Sequence, residues 1–381
     1  MMVKLGEVCT VISGSTPKTN ISDYWDGDIK WITPAELDDG SFYIFDSQRH
    51  ISILGKEKTG LSFMPKGTVI LSSRAPIGKT AIAGCELCCN QGFKNLVCSD
   101  KINNEYLYYF LKGKTEYLNS LGRGATFKEI SKSIVENIEI PLPDIGEQKR
   151  IANLFNKIYN LINLYKQQLV KLEELIKSRF IEMFGDMTLG GNKVYLEDIS
   201  DFVTVGIANS ATHAYADSGI VILRNQNIKE NYLDENDLLY IKPEFAKKYG
   251  SKQLVENDIL VIRTGYPGVA CLVPKNYEGC QTFTTLIVRL KDSSLAHANY
   301  VCHYINSSYG KDYVEQSKVG VAQQNFGAKA LAKMPIVVPP MELQEQFTAF
   351  VEQTDKSKLA IQQSLDKLET LKKSLMQKYF G

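Results

Sequence analysis

The chain has 381 residues, with 44 lysines and arginines against 43 aspartates and glutamates, and so a formal net charge of +1. This balance excludes a strongly basic tail protein and an acidic solubilising protein, and it gives no whole-chain indication of nucleic-acid binding. Hydrophobic residues make up 44% of the chain and charged residues 23%, which argues against disorder. The length of 381 residues predicts two or three domains.

The first residues do not resemble a targeting segment. Residues 1–7 (MMVKLGE) contain no apolar run long enough for a signal peptide, and no stretch of about 18 apolar residues occurs in the sequence. We therefore expect a soluble, cytoplasmic protein. The eight cysteines fit a reducing compartment better than a disulfide framework.

Four cysteines cluster in the first half of the chain, at Cys85, Cys88, Cys89 and Cys98. The first two have CxxC spacing, but a structural zinc site normally needs a second ligand pair, and no histidine lies near. We interpret them as buried cysteines in a pair of strands and predict no metal site.

Each half of the chain combines short β-rich runs with one predicted helix. Residues 67–72 (GTVILS) and 258–263 (DILVIR) are bounded by turn residues and predict strands. Residues near 104–118 and near 295–315 predict helices, and their tyrosines recur at helical spacing. We interpret these tyrosines as packing residues rather than as a binding platform.

Residues 147–185 predict one long helix. Asp144 and Glu147 have the spacing of a capping box, and Gly185 is a typical stop. Residues 341–381 predict a second long helix, which follows Pro340. Apolar residues alternate at steps of three and four, which is typical of a coiled-coil seam. The predicted helix–helix seam contains Ile158, Ile162, Tyr165, Leu169, Leu172, Ile361, Leu365 and Leu368.

The two halves are copies of one another. Residues 167–185 (QQLVKLEELIKSRFIEMFG) and 363–381 (QSLDKLETLKKSLMQKYFG) share ten of 19 positions at a constant offset of 196. Average residue usage would produce about one match. Residues 28–32 likewise face residues 219–223 at an offset near 190. The chain is therefore an internal duplication, each copy being a globule followed by a long helix.

The order of these pieces predicts an α+β architecture of two α/β globules joined by two long helices. If the apolar seams pair, the helices are antiparallel, and the second returns to the first globule. The result is an internal repeat with a pseudo-two-fold axis. A symmetric dimer reads two half-sites in a similar way, whereas here one chain with two different globules would read an asymmetric, split sequence.

The sequence offers no support for catalysis. The four histidines lack HExxH or ligand-pair spacing, and neither a GxxxxGK[ST] loop nor a GxGxxG fingerprint is present. The Asn-Pro-Pro-aromatic motif of amino-methyltransferases is absent as well. Residues 143–149 superficially match a nuclease PD…ExK pattern, but helix capping explains these residues better because they fall together across one helix start.

Several motifs together resemble a known family. They are residues 14–17 (GSTP), 24–32 (YWDGDIKWI), 66–72 (KGTVILS), 124–126 (GAT), 140–143 (IPLP) and 147–152 (EQKRIA). In this order, and duplicated, they resemble the specificity (S) subunits of type I restriction-modification systems over essentially the whole chain. The family's organisation places target-recognition domains at residues 1–146 and 186–340, a central spacer helix at 147–185 and a C-terminal spacer helix at 341–381.

The resemblance implies a non-catalytic subunit that selects the DNA sequence for its partners. Those partners would be double-stranded DNA, two modification (methyltransferase) subunits and, in the full complex, restriction subunits. The complex would methylate adenine or cleave DNA. No cofactor is expected in this chain, because S-adenosylmethionine would be bound by the methyltransferase subunit.

Base reading requires long polar side chains on exposed loops, because these reach groove edges with matching donors and acceptors. The DNA-binding candidates in the first globule are Lys18, Lys30, Arg74, Lys79, Arg123, Thr126 and Lys128. Those in the second are Arg224, Asn225, Gln226, Arg263, Tyr266, Gln323, Gln324 and Asn325. Since the net charge is near zero, either positive charge is segregated on the surface, or partner subunits supply much of the phosphate clamp.

Two other functions are compatible with parts of the pattern. One is a non-catalytic coiled-coil scaffold whose globules bind proteins or sugars. The other is a stand-alone restriction enzyme, which the missing catalytic motifs disfavour. A neighbouring gene for an adenine methyltransferase would favour the specificity subunit over the scaffold.

Overall fold

A computed structural model describes residues 1–38, 40–74, 76–123, 128–185, 193–208, 212–293, 295–319 and 325–381. The chain divides into two compact units. Unit 1 comprises Met1–Gln167 and Gln362–Gly381, and unit 2 comprises Gln168–Ile361. Among the described residues, no helix is both long and apolar enough to cross a membrane.

Unit 1 is a mixed α/β globule. Its strands are β1 (Met2–Lys4), β2 (Cys9–Ser13), β3 (Trp25–Ile32), β4 (Tyr43–Ile44), β5 (Arg49–Ile51), β6 (Val69–Leu71), β7 (Thr80–Ala83), β8 (Cys88–Cys89), β9 (Lys94–Cys98) and β10 (Glu139–Pro141). Its helices are α1 (Leu5–Val8), α2 (Ile53–Thr59), α3 (Asn104–Gly113), α4 (Thr115–Leu121), α5 (Lys132–Glu136) and the first part of α6 (Ile145–Phe184).

Unit 2 has the same kind of organisation. Its strands are β11 (Lys193–Tyr195), β12 (Ser200–Val205), β13 (Tyr215–Ala216), β14 (Ile220–Leu223), β15 (Ile228–Lys229), β16 (Tyr232–Leu233), β17 (Leu239–Ile241), β18 (Ile259–Val261), β19 (Ala270–Leu272), β20 (Gln281–Thr282), β21 (Leu286–Leu290) and β22 (Pro335–Val337). Its helices are α7 (Pro243–Lys247), α8 (Ala298–Asn306), α9 (Ser308–Ser317), α10 (Ala328–Ala332) and the first part of α11 (Met341–Phe380).

The sheets repeat the duplication that the sequence predicts. The main sheet of unit 1 has the order β2-β9-β6-β7-β4, and its counterpart in unit 2 has the order β12-β21-β18-β19. In both units a two-residue strand pairs in parallel with an earlier strand, β8 with β3 in unit 1 and β20 with β14 in unit 2. Trp31 lies opposite Cys88 in unit 1, and Ile222 lies opposite Gln281 in unit 2. The structural repeat therefore extends to strand register.

The two long helices are confirmed, each with 40 residues and therefore about 60 Å long. They are antiparallel in each unit. In unit 1 Phe155, near the start of α6, stacks on Phe380 at the end of α11, with ring centroids 5.8 Å apart. In unit 2 Phe180, near the end of α6, packs edge-on against Phe347 near the start of α11 at 5.3 Å.

All eight predicted seam residues are buried or half-buried. Ile158 and Ile162 are 3% and 2% exposed, and Leu365 is 7% exposed. The remaining members of the seam are half-buried, namely Tyr165, Leu169, Leu172, Ile361 and Leu368.

The start of α6 differs from the predicted capping box. Asp144 Oδ1 accepts a hydrogen bond from the Glu147 backbone N–H at 2.9 Å, as predicted. The Glu147 carboxylate binds the Arg150 guanidinium at 2.6 Å instead of reaching back to the helix start. Gly185 ends the helix with φ +59°, the left-handed conformation that glycine adopts without steric cost.

Both shorter predicted helices are wrong as single helices, because each is broken into two. Helix α3 ends at Gly113, and Lys114 leaves the helical region before α4 begins. Helix α8 ends at Asn306, where Ser307 is extended and donates its hydroxyl to the Tyr304 carbonyl. The tyrosines on α3 and α8 pack in the core as predicted, with Tyr106 and Tyr300 at most 1% exposed.

The clustered cysteines do not gather at one place. Cys88 and Cys89 are buried on β8, whereas Cys98 lies on β9 opposite Cys9 of β2. All are free thiols. Because Cys9 faces Cys98 across the strand pair, the interaction of the two thiols together with burial raises the pKa of Cys9.

Candidate nucleic-acid interface

In unit 2, three separate segments meet where strands β14 and β18 end. Asn225 follows β14 and donates its side-chain amide to the Thr264 carbonyl at 3.1 Å. Arg263 follows β18, and its Nε donates to Asn325 Oδ1 at 2.9 Å. The Phe326 N–H donates to the Arg263 carbonyl at 2.9 Å. Candidates from all three predicted loops therefore converge on one polar surface.

The remaining candidates of unit 2 lie around this surface. Arg224 and Gln226 both donate to Asp237 Oδ2, at 3.1 Å and 2.8 Å, and these bonds lower the pKa of the Asp237 carboxyl. Tyr266 is 83% exposed and follows Gly265, whose φ is +86°. Gln323 and Gln324 lie outside the described residues.

Unit 1 builds the same arrangement with different side chains. Arg123 pairs through its backbone with Glu129, as Val319 pairs with Asn325 in unit 2. The Ile130 N–H donates to the Ser73 carbonyl at 2.9 Å, which repeats the bond from Phe326 to Arg263. Arg74 and Glu129 are also bridged through their backbones.

Glu129 holds two cations at this place. Its Oε2 accepts from Arg74 Nε at 2.9 Å, and its Oε1 lies 3.1 Å from Lys94 Nζ. Lys94 is only 8% exposed. Burial opposes the charged form of Glu129, but the hydrogen bonds from Lys94 and Arg74 outweigh it and lower the pKa of the carboxyl.

The other candidates of unit 1 have varied surroundings. Lys79 donates its ammonium to the carbonyls of Pro34 and Leu37, so it braces a loop. Lys30 lies on β3 opposite His50. Lys18, Arg123 and Lys128 are exposed, and the Lys18 carbonyl accepts from Trp25 Nε1 at 3.2 Å. Thr126 lies outside the described residues.

Two members of the site were missed in the sequence. Glu129 and Lys94 are absent from the predicted DNA-binding candidates, although the repeat offset of 196 places Glu129 opposite the candidate Asn325. The signal was therefore present. Lys94 has no comparable signal, because only the fold brings β9 beside the loop.

The fold and these paired loop clusters define a duplicated α/β recognition protein. Residues 1–174 and 191–372 each match the model of the type I restriction modification DNA specificity domain, and the chain belongs to that family. The scaffold alternative, with globules that bind proteins or sugars, finds no support in this match.

Named relatives agree with the family. The MjaIX specificity subunit of Methanocaldococcus jannaschii is 39% identical over 208 residues, which cover 53% of this chain and 48% of that protein. The match thus spans about half the length of that relative. The EcoKI specificity subunit of Escherichia coli K12 is 21% identical, covering 100% of this chain and 88% of that one.

Solved structures share the fold. The type I restriction-modification S subunit of M. genitalium superposes with a TM-score of 0.58 at 14% identity, over 100% of this chain and 96% of that one. A chain from a study of type I R-M complex assembly superposes with a TM-score of 0.63 at 19% identity, over 100% and 97% of the two chains.

Proposed function

We propose that this chain is the non-catalytic DNA-recognition subunit of a type I restriction-modification complex. It reads an asymmetric target in two separated parts, one with each globule. The reading directs adenine methylation or cleavage that partner subunits perform. Two methyltransferase subunits bind S-adenosylmethionine in this scheme, and restriction subunits join them in the full complex.

The proposal is supported by a loop whose backbone pairing is the same in both units but whose side chains differ. The backbone pairing is the same at Glu129 and at Asn325, but one is a carboxylate and the other an amide. A duplicated scaffold whose loop ends differ in hydrogen-bonding chemistry supports the recognition of two different half-sites.

The two arginines at these loop ends are held in a way that suits base reading. Arg74 and Arg263 each use Nε to bind the loop stem, at 2.9 Å in both units. Within the described part of the chain, their terminal amino groups make no hydrogen bond. A guanidinium fixed at Nε keeps two amino groups for guanine O6 and N7, the most common specific contact in the major groove.

The test is a domain exchange in the assembled complex. The full chain is expressed with its methyltransferase partner, and the methylated motif is read by sequencing the host DNA. We expect a split motif, and exchange of residues 1–146 for those of a relative with another target should change one half of it only. The proposal would be contradicted if the unaltered chain with its methyltransferase partner methylated no DNA, or methylated it without a defined motif.

A further inference from the structure

A basic cavity lies in unit 1, beside the long helices. It has a volume of about 470 Å³ and is lined by the junction of α3 with α4 and by the last turns of α11. Four lysines line it, namely Lys112, Lys114, Lys372 and Lys373. Tyr159 of α6 and Phe380 form part of its wall.

The lysines leave the cavity positively charged. Lys112 Nζ and Lys372 Nζ lie 5.2 Å and 5.3 Å from the ring centroid of Tyr159, so two cations face one ring. Lys112 also donates to the Tyr108 hydroxyl at 2.7 Å, and Lys372 pairs with Glu369. In the part of the chain that the structure describes, Lys114 and Lys373 form no ion pair.

The duplication provides a built-in comparison. Tyr106 donates its hydroxyl to the Pro141 carbonyl, and Tyr300 does the same to Val337, which aligns α3 with α8 at an offset of 194. Unit 2 has a cavity of about 160 Å³ at the matching place, lined by Asn306 and Ser308.

The charge of the cavity in unit 2 is different. Asn306 and Ser308 stand where unit 1 has Lys112 and Lys114, and Ile176 stands where it has Lys372. Lys177, which matches Lys373, lies 2.9 Å from Glu230, and Lys311 of the same cavity lies 3.2 Å from that carboxylate. Unit 2 therefore forms the same fold with no lysine at the positions of Lys112, Lys114 and Lys372.

The basic cavity adjoins the loop that carries the candidates Arg74 and Lys79. A methyl group at Gly78 would lie 3.0 Å from Thr115 Cγ2, so the loop between Arg74 and Lys79 rests on the start of α4. Thr115 lines the cavity next to Lys114. Thr115 therefore lies between the loop that carries Arg74 and the lysines of the cavity.

We propose that this cavity binds a DNA backbone phosphate beside the half-site of unit 1, an inference that rests on the proposed function. Ammonium groups suit a phosphodiester as point charges and hydrogen-bond donors, and such contacts position DNA without reading its sequence. The cavity also supplies segregated positive charge in a chain whose net charge is near zero.

The test is the salt dependence of DNA binding by the full chain assembled with its methyltransferase partner. The variant K114Q/K373Q removes two charges at nearly constant length. A single neutralised phosphate contributes about 0.9 to the slope, so we expect the slope of log Kobs against log salt to become shallower by about 1, and affinity at 0.1 M salt to fall by as much as about 8-fold. The methylated motif should not change. The matched control K58Q/K101Q removes two exposed lysines of unit 1 that do not line the cavity, and it should leave the slope nearly unchanged.

Three results would overturn the inference. One is an unchanged slope in K114Q/K373Q, and another is an equal change in the control, which would indicate a general charge effect. The third is impaired subunit assembly with a normal slope in the complexes that form, which would identify an acidic protein partner. Failure of the unaltered complex to bind any specific sequence would instead contradict the proposed function.

Discussion

Gln148 and Gln344 make the same three hydrogen bonds in the two units. Each is completely buried near the start of a long helix. Gln148 donates to the Lys101 and Pro143 carbonyls and accepts from the Asn103 N–H. Gln344 repeats these bonds with the Leu295 and Pro339 carbonyls and the His297 N–H. The amide thus ties each long helix to the loop before a core helix, so its role is architectural rather than nuclease-like.

Replacing Gln148 by Ala should destabilise unit 1 by about 2–4 kcal/mol, because buried backbone groups lose their partners. Both tryptophans, Trp25 and Trp31, lie in unit 1, so the urea transition followed by tryptophan fluorescence reports on this unit. Gln167→Ala, at an exposed position of the same helix, is the control and should leave the midpoint unchanged. Equal midpoints for the two variants would show that the hydrogen bonds of Gln148 do not stabilise unit 1.

Charges placed on the helix seam should disrupt the helix pair. Ile162 is 2% exposed and Leu169 is half-buried, and burial of each side chain is worth about 1.5–3 kcal/mol. The variant I162D/L169D should melt at a clearly lower temperature or fail to assemble. L161D/L164D, at positions 42% and 48% exposed, should melt like the unaltered chain. Similar melting of both variants would show that the seam contributes little.

Changes at the loop ends should act on one half-site at a time. Replacing Gln323, Gln324 and Asn325 should relax only the second half-site, because a lost bidentate base contact costs about 1–3 kcal/mol at its own base pair. Glu129→Ala releases Arg74 and Lys94 and should affect only the first half-site. The readout is the methylated motif of the reconstituted complex. Equal degradation of both halves by either variant would assign the loops to general affinity or folding.

The stability of unit 2 should depend on pH through His303. Burial, and secondarily the nearby Lys358 charge, lowers the pKa of His303 to about 3, and its ring packs against Phe180 and Phe347. The unfolded chain takes up this proton near pH 6.5, whereas folded unit 2 does not. The contribution of His303 to the free energy of unfolding is therefore fully present above about pH 6.5. It falls as the pH drops toward 3, by up to about 1.4 kcal/mol per pH unit.

The measurement is denaturant unfolding of unit 2 between pH 7 and pH 4.5, followed by hydrogen exchange of α8. His303→Gln should flatten the pH dependence, since the group that titrates is gone. His297→Gln is the matched control, because its side chain is exposed and its backbone N–H still binds Gln344. A steep pH dependence that survives in His303→Gln would assign the effect to other groups.

The duplication and the long helices could be predicted from sequence, because periodicity and self-similarity are local patterns. The break at Ser307 could not, because Ile305, Tyr309 and Tyr313 continue the helical spacing across it. A signal for the break at Lys114 is present, since residues 112–116 (KGKTE) contain a glycine and no apolar side chain. Arg263 and Asn325 were each predicted as polar loop residues. Their contact could not be predicted, because 62 positions separate them and only the fold brings them together.

The position of Phe380 has a consequence for how the protein is made. Its side chain is 3% exposed and packs on Tyr106, Phe110 and Phe155 in the core of unit 1. A ribosome adds Phe380 only after it has synthesised the whole of unit 2. Folding of domains during synthesis normally proceeds from the N-terminus. Here the core of the first globule to emerge lacks one aromatic side chain until unit 2 has been synthesised, so it can close only after that point.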